Sequence, residues 1–262
     1  MNARSGRAAA LAAAFFVLFA IAAQAADIRD TIARVKPSIV AVGTFERTRS
    51  PQFEFRGTGF AVGDGTTIVT NAHVLPGVLD FANEEALAIL LPGPGNDVAQ
   101  ARRANRIAVD AGSDLALLKI DGTALPPLKL RDSGTVREGQ YVLMTGFPIG
   151  AVLGPFPATH RGMVSAITPI AIPQGNAAEL KASVVRRLSS GSFKVFQLDA
   201  TAYPGSSGSP IYDPDTGEVL GIVNMVLVKG TKEAALTHPS GITYAVPSSH
   251  LETLLKSANI AN

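Results

Sequence analysis

Three short segments of the chain carry the residue types that catalysis by a nucleophilic hydroxyl requires. His73 lies in the segment TNAHV, Asp114 directly precedes the apolar run LALLKI, and Ser207 lies in the segment GSSGSP. A reactive serine needs a base to take its proton, a carboxylate to hold that base, and N–H donors for the developing oxyanion. The three segments therefore predict a serine, histidine and aspartate triad.

Two members of this set have competitors nearby in the sequence. Asp110 stands four residues before Asp114, and an aspartate at a strand edge often only forms a turn. Ser206 and Ser209 flank Ser207, and a run of serine and glycine is also typical of a flexible loop. The residues alone leave both alternatives open.

The order of these residues along the chain separates two fold classes. An α/β-hydrolase has its histidine after its serine, with a glycine two residues beyond the serine. Only His238 and His250 follow Ser207, and Ser209 stands where that glycine would be. We therefore disfavour the α/β-hydrolase fold. His238 and His250, like His160, lack a context such as TNAHV, and we expect all three at the surface or in loops.

The elements that would position these residues read as strands. From residue 38 onward, short runs rich in Val, Ile, Leu and Thr are broken by Gly and Pro, which is typical of an all-β sandwich or barrel. The runs are Ser38–Gly43, Gly59–Val62, Thr67–Thr70, Leu115–Ile120, Tyr141–Thr145, Gly162–Ile167, Val195–Leu198, Val219–Val228 and Ile242–Val246.

Helical periodicity is clear in two places. Residues Asp27–Val35 predict a short helix before the first strand. Near the C-terminus, Ser249 and Glu252 have the spacing of a capping box. The leucines that would form the buried face of this second helix are Leu251, Leu254 and Leu255.

Composition excludes several classes of protein. The 262 residues are 47% hydrophobic and 17% charged, which is far from the composition of disordered chains. The net charge is only +2 and the arginine pairs are isolated, so we expect no nucleic-acid partner. Cysteine is absent, which excludes disulfides and thiolate metal sites.

The first 25 residues have the pattern of an export signal. Arg4 and Arg7 precede an apolar, alanine-rich run from Ala8 to Ala23, and Ala23-Gln24-Ala25 offers a cleavage site. We expect the mature chain to begin at Ala26, in the periplasm or secreted, without stable membrane association. The run is shorter than the ~20 residues of a spanning helix, so an uncleaved anchor is the weaker alternative.

Taken together, the motifs resemble those of the chymotrypsin-fold serine proteases, and among them most closely the HtrA (Deg) proteases. The matching segments are TNAHV, SDLALLKI, GFPIG, Gln197–Ala200 before the serine, and GITYAVPSSHLETLL, in family order. The resemblance implies two six-stranded β-barrels with a short C-terminal helix. Residues 26–125 would carry His73 and Asp114, and residues 126–262 would carry Ser207, with Pro126-Pro127 at the joint.

The resemblance also implies roles for the residues of the cleft. The N–H groups of Gly205 and Ser207, helped by that of Ser206, would form the oxyanion hole. Thr201 would lie on the floor of the pocket for the residue before the scissile bond. The wall of that pocket would be the segment Asn224-Met225-Val226. Without a charge at Thr201, and with Val226 narrowing the pocket, small aliphatic residues are the expected preference.

Three departures from related families matter, and one motif resembles a metal site. Ser206 replaces the aspartate that pairs with a new N-terminus in trypsin-like zymogens, so activation by that route is not expected. Val223 replaces the histidine with which glutamyl endopeptidases bind an acidic side chain. We expect no PDZ domain after the C-terminal helix. Asp213–Glu218 resembles half of a calcium loop but predicts a hairpin turn, and no metal or cofactor is expected.

These features predict a serine endopeptidase acting on polypeptides through an acyl-enzyme. The alternative is a protein of the same fold that binds unfolded chains and cleaves them little or not at all.

Overall fold

Within the described residues, the chain forms two closed barrels of six antiparallel strands, with one α-helix before the first barrel and one after the second. The computed structural model describes residues 27–91, 100–150, 154, 156–169, 193–224 and 241–261. The predicted fold class, all-β with two six-stranded barrels and a short C-terminal helix, is confirmed. The export signal predicted for residues 1–25 lies outside the described residues. In the part that is described, neither helix has the length and hydrophobicity needed to cross a membrane.

The first barrel follows helix α1 (Ile28–Val35), which begins after Asp27, whose carboxylate accepts the Arg29 N–H. Its strands pair in the order β1-β2-β3-β6-β5-β4, and β4 closes the barrel on β1. The strands are β1 (Ile39–Phe45), β2 (Phe53–Val62), β3 (Thr67–Asn71), β4 (Ala86–Leu91), β5 (Gln100–Asp110) and β6 (Leu115–Ile120).

The second barrel has the same pattern of pairing. Its order is β10-β11-β12-β9-β8-β7, closed by β7 on β10. Helix α2 (Ser248–Ser257) follows the last strand directly. The strands are β7 (Tyr141–Gly146), β8 (Ala158–Pro169), β9 (Lys194–Asp199), β10 (Pro210–Tyr212), β11 (Val219–Val223) and β12 (Ile242–Pro247).

Several strands are apolar on both faces because each barrel has an inside and also packs on the other barrel. In β3, Ile68 points into the core of the first barrel while Val69 belongs to a cluster shared by both barrels. Strand β6 repeats this division, with Leu118 inside and Leu117 in the shared cluster. Burial of each such side chain contributes about 1.5–3 kcal/mol to folding. This explains why the sequence shows continuous apolar runs rather than strict alternation.

The shared cluster joins side chains of both barrels and of both helices. Its buried members are Val35, Ile39, Ala41, Phe60, Val62, Val69, Leu115, Leu117, Leu128, Leu143, Phe147, Tyr212, Val219, Ile222, Val246, Leu251, Leu254 and Leu255. The three helix leucines predicted to face the core are all buried there. The two barrels are therefore packed into one body with a continuous apolar interior.

The start of helix α2 differs from the prediction. The capping box of Ser249 and Glu252 does not form, because the helix begins at Ser248, after Pro247, and Ser249 lies inside it. The Ser249 N–H donates instead to Ser133 Oγ at 3.2 Å, from a turn 116 residues earlier in the chain. A tertiary contact has replaced the local cap.

Two further segments test predictions at the ends of strands. The predicted run Val219–Val228 ends early, since β11 stops at Val223 and residues 225–228 lie outside the described residues. The hairpin turn predicted for Asp213–Glu218 is confirmed, because it joins the antiparallel strands β10 and β11. The Asp213 carboxylate accepts the N–H groups of Asp215 and Thr216 within this turn and pairs with Arg131 at 2.8 Å.

Candidate active site

Strand pairing in the first barrel brings a histidine and an aspartate together. The end of β3 pairs with the start of β6, with Asn71 opposite Leu115. His73 lies in a 3₁₀ turn immediately after β3, and Asp114 immediately precedes β6. Two segments 41 residues apart are thus held side by side by the register of one strand pair.

The contacts between these side chains form a continuous chain across the cleft. His73 Nδ1 lies 2.6 Å from Asp114 Oδ2, and His73 Nε2 lies 2.9 Å from Ser207 Oγ in the second barrel. The Asp114 side chain is 7% exposed and that of His73 is 29% exposed. The buried carboxylate of Asp114 therefore lies within hydrogen-bonding distance of the partly exposed imidazole of His73, which in turn lies within hydrogen-bonding distance of the Ser207 hydroxyl.

The backbone at Asp114 helps to aim its carboxylate. Its φ is +58°, a left-handed conformation that aspartate tolerates better than most residues. Asp114 Oδ1 accepts the His73 N–H at 2.9 Å, and its carbonyl accepts the Ala72 N–H at 3.0 Å. The side chain and the backbone carbonyl of Asp114 are thereby both hydrogen-bonded to the turn that carries His73.

Asp110, the competing carboxylate, makes different contacts. Its oxygens accept the Gly112 N–H at 2.9 Å and the Ser113 hydroxyl at 2.6 Å. These bonds close the turn between β5 and β6. The structure thus brings Asp114, and not Asp110, to His73.

The segment around Ser207 consists of two successive tight turns. In the first, the Ser206 N–H donates to the Tyr203 carbonyl at 2.9 Å, with Gly205 third in the turn at φ +100°. In the second, the Ser209 N–H donates to the Ser206 carbonyl at 3.0 Å, with Gly208 at φ +87°. A positive φ at the third position is the mark of a type II turn and favours glycine. A side chain at Gly205 would also collide with the carbonyl of Phe147.

These turns direct two backbone N–H groups outward. The Pro204 carbonyl accepts the Ile149 N–H at 2.8 Å, so the Gly205 N–H on the other side of that peptide points away from Ile149. The Ser206 carbonyl accepts within its turn, so the Ser207 N–H points out of that turn. Among the described residues, neither N–H donates to a protein acceptor. Because the Ser206 N–H is already bonded to Tyr203, it is not available as a third donor, contrary to expectation.

The neighbouring serine hydroxyls do not reach the histidine. Ser206 is 2% exposed, and its hydroxyl faces the Tyr203 N–H at 3.4 Å. Ser209 is fully buried beside Gly146, and no hydrogen-bond partner for its hydroxyl is found among the described residues. Of the three serines, Ser207 alone approaches His73.

Asn224, expected in the pocket wall, lies elsewhere. It is 1% exposed, and its Nδ2 donates to Asp114 Oδ2 at 2.9 Å. This amide from the second barrel therefore holds the carboxylate of the first. Sequence reasoning missed this contact, although an asparagine inside the apolar run Val219–Val228 was a signal that a polar partner was needed. Thr201 is partly buried before the first turn, while Met225 and Val226 lie outside the described residues.

Two further histidines are less exposed than expected. His160 is half-buried in β8 against the Tyr203 ring, and His250 is half-buried in α2 against Phe193. Burial lowers the pKa of each, and for His250 the Asp110 charge opposes that effect. The prediction of surface or loop positions was therefore wrong for both, because their rings pack on aromatic neighbours distant in sequence. His238 lies outside the described residues.

Comparison with known proteins agrees with this geometry. Residues 57–222, more than half of the chain, match the family of the trypsin-like peptidase domain. The chain belongs to this family. Among curated members, it is 30% identical to a probable periplasmic serine endoprotease DegP-like of Pseudomonas savastanoi, over 78% of the chain and 35% of that protein. It is 29% identical to the serine protease HTR4 of Bos taurus, over 87% of the chain and 40% of that protein. The chain thus spans about a third to two fifths of these relatives.

Solved structures of trypsin-like peptidases share the fold. The HtrA-type protease AlgW with decapeptide superimposes with a TM-score of 0.62 at 21% identity, covering 89% of this chain and 67% of that one. The serine endoprotease from Yersinia pestis gives a TM-score of 0.60 at 24% identity, covering 88% and 66%. These matches extend the predicted HtrA resemblance to the arrangement of both barrels.

Proposed function

We propose that this chain is a serine endopeptidase of the HtrA type, with Ser207 as nucleophile, His73 as general base and Asp114 as the residue that orients His73. The observation that carries the proposal is the unbroken contact from Asp114 through His73 to Ser207 Oγ, with distances of 2.6 and 2.9 Å. Hydrogen-bond reach between nucleophile, base and orienter is the requirement for activating a serine.

The chemistry then follows from these contacts. Ser207 Oγ attacks the scissile carbonyl while its proton moves to His73 Nε2. His73 gives that proton to the leaving amine, the C–N bond breaks, and an acyl-enzyme remains on Ser207. A water deprotonated by His73 hydrolyses the ester. Asp114 stays ionised throughout and faces the imidazolium that forms.

The oxyanion of each tetrahedral intermediate would be bound by the N–H groups of Gly205 and Ser207. Both groups point outward from their turns, and neither donates a hydrogen bond to another of the described residues, which supports this role. Loss of one such donor typically costs about 2.7–4 kcal/mol of transition-state stabilisation. Donors already set in position favour cleavage over mere binding.

For substrates, we propose unfolded or damaged polypeptides cut after small aliphatic residues. Thr201 offers no charge to pair with a buried Lys, Arg or Glu side chain, and an unpaired buried charge costs several kcal/mol. The bound decapeptide of the AlgW structure is in keeping with polypeptide substrates. Mass-spectrometric mapping of cuts in an unfolded protein tests this, and a majority after Lys, Arg or Glu would refute the pocket assignment.

We further propose that the protein acts in the periplasm or as a secreted protein. The signal-like residues 1–25 and the periplasmic DegP-like relatives support export. N-terminal sequencing of the exported material should give Ala26 as the first residue. A retained Met1 in the membrane fraction would favour an anchored protein instead.

Labelling with a fluorophosphonate probe separates the peptidase from a binding protein of the same fold. The wild-type chain should be labelled on Ser207, because only an assembled triad activates that hydroxyl. Ser207→Ala should abolish labelling and peptide cleavage, while the matched variant Ser209→Ala should keep both. An unlabelled but folded wild-type protein that still bound unfolded chains would favour the binding function.

A further inference from the structure

Thr58, in β2 of the first barrel, contacts the nucleophile segment of the second. The residue is fully buried. Its hydroxyl donates to the Gly205 carbonyl at 2.7 Å and accepts the Phe147 N–H at 3.1 Å. Its backbone N–H donates to the Ser207 carbonyl at 2.8 Å. One residue of the first barrel thus bonds to three points around the two outward N–H groups.

The carbonyls from Pro204 to Ser207 show why this contact matters. Among the described residues, each accepts one hydrogen bond: Pro204 from Ile149 N–H, Ser206 from Ser209 N–H, and Ser207 from the Thr58 N–H. The remaining carbonyl, that of Gly205, accepts from the Thr58 hydroxyl. Three of the four donors are therefore backbone N–H groups, which every residue except proline carries, and the fourth is a side chain whose hydroxyl can be removed alone.

The peptide held by this side chain lies between the two outward donors. It joins Gly205, whose N–H is the first donor, to Ser206, whose carbonyl belongs to the same peptide group as the second donor, the Ser207 N–H. Gly205 is also the residue of this segment with the widest backbone freedom. The torsions on either side of the Gly205–Ser206 peptide set how the two flanking peptides, which carry the Gly205 N–H and the Ser207 N–H, are oriented relative to each other. Rotation of this peptide would therefore turn the two N–H groups out of convergence.

We propose that Thr58 is the positioning residue of the oxyanion hole, through its hydroxyl. This inference rests on the proposed peptidase function. Thr58 does not touch substrate, since it lies behind the turn. It fixes the plane of the Gly205–Ser206 peptide, so that the N–H groups of Gly205 and Ser207 converge before the oxyanion forms.

The chemistry of the contact requires a hydroxyl. The group must donate to the Gly205 carbonyl and accept from the Phe147 N–H at once, which Ser and Thr can do and Val cannot. The Phe147 bond also ties the hydroxyl to the loop that carries Ile149, the donor to Pro204. Ile149 has φ +51°, a left-handed conformation rare for a β-branched residue, so this loop needs outside support to present that N–H.

Thr58→Val tests the proposal, because valine keeps the shape and removes the hydroxyl. We expect kcat for a peptide substrate to fall about tenfold to a hundredfold with KM within about twofold, less than the full loss of a donor. The affinity for a peptidyl aldehyde, which forms an oxyanion on Ser207, should fall by a similar factor. Thr58→Ser should restore most of both.

Thr31→Val is the matched control. Thr31 is also fully buried, and its hydroxyl also donates to a carbonyl, that of Asp215 at 3.3 Å, while accepting from Arg34. It lies in α1, outside the cleft. This variant should keep wild-type kcat and aldehyde affinity even where its stability falls.

The outcomes separate this proposal from the proposed function. A wild-type protein that fluorophosphonate does not label refutes the peptidase itself. If the wild type is labelled but a folded Thr58→Val variant has the wild-type kcat, the role of the hydroxyl is overturned. The same holds if Thr58→Ser is as impaired as Thr58→Val. A rise in KM with unchanged kcat would also overturn it. If the valine variant does not fold, Thr58→Ala takes its place with the same expected order.

Discussion

Replacement of Asn224 by alanine tests the part of the site that joins the two barrels behind the triad. Asn224 Nδ2 donates to Asp114 Oδ2 at 2.9 Å, and the same oxygen lies 2.6 Å from His73 Nδ1. Both residues are buried, so water does not simply replace the amide. A hydrogen bond to a charged group contributes about 1.5–3 kcal/mol. We expect Asn224→Ala to lower the free energy of unfolding by about that amount.

Activity should fall as well, by about tenfold to a hundredfold in kcat, because a carboxylate that has lost one of its hydrogen bonds holds the imidazole less firmly at its angle to Ser207. Steady-state kinetics on Asn224→Ala, Asp114→Asn and the double variant form the assay. The Asn224 effect should largely vanish in the Asp114→Asn background, since it acts through the carboxylate. Fully additive losses in the double variant would refute this reasoning, as would wild-type kcat in a folded Asn224→Ala.

Three further outcomes are expected. Asp114→Asn should lower kcat about ten-thousandfold, because the amide would hold His73 in the wrong tautomer. Asp110→Asn should lower kcat less than about tenfold. If steady-state kinetics gave the larger loss for Asp110→Asn, Asp110 would be the orienting residue. The free energy of unfolding should fall below about pH 6.5, because burial lowers the pKa of His160 in the folded state and the unfolded chain then binds more protons. His160→Gln should reduce that slope in urea titrations at several pH values, and an identical slope would contradict it. Leu251→Ala should lower the free energy of unfolding by about 2–5 kcal/mol, because Leu251 is fully buried. Val78→Ala, at an exposed position, should lower it by less than about 0.5 kcal/mol. Equal midpoints of urea unfolding for the two variants would contradict this expectation.

The fold could be predicted from sequence because its signals are local and repeated. Short apolar runs separated by glycine and proline predict strands, and the motifs in family order assign those strands to two barrels. The apolar run after Asp114 is buried on both faces in β6, and the leucines of helix α2 face the core as their spacing predicts. Each of these features depends on side chains within one segment.

The features that sequence reasoning missed depend on contacts between distant segments. Asn224 reaches Asp114 across 110 residues, and Ser133 caps helix α2 across 116, so no local pattern contains either pair. His160 is half-buried against a tyrosine 43 residues further on, which a strand pattern does not reveal. Thr58 resembles any other threonine of a strand until the second barrel is placed beside it.

The packing between the barrels determines whether a substitution would be detected as a loss of activity or as a loss of folded protein. His73 and Asp114 belong to one barrel and Ser207 to the other, so the 2.9 Å between His73 Nε2 and Ser207 Oγ depends on how the barrels sit on the apolar cluster that they share. A shift of about 1 Å in such a contact can cost a hundredfold in rate. Substitutions of buried residues in that cluster would therefore lower kcat while the circular dichroism spectrum and the solubility remain those of the wild type. Counting folded molecules would overstate the number of working ones, and titration with an active-site label is the proper count.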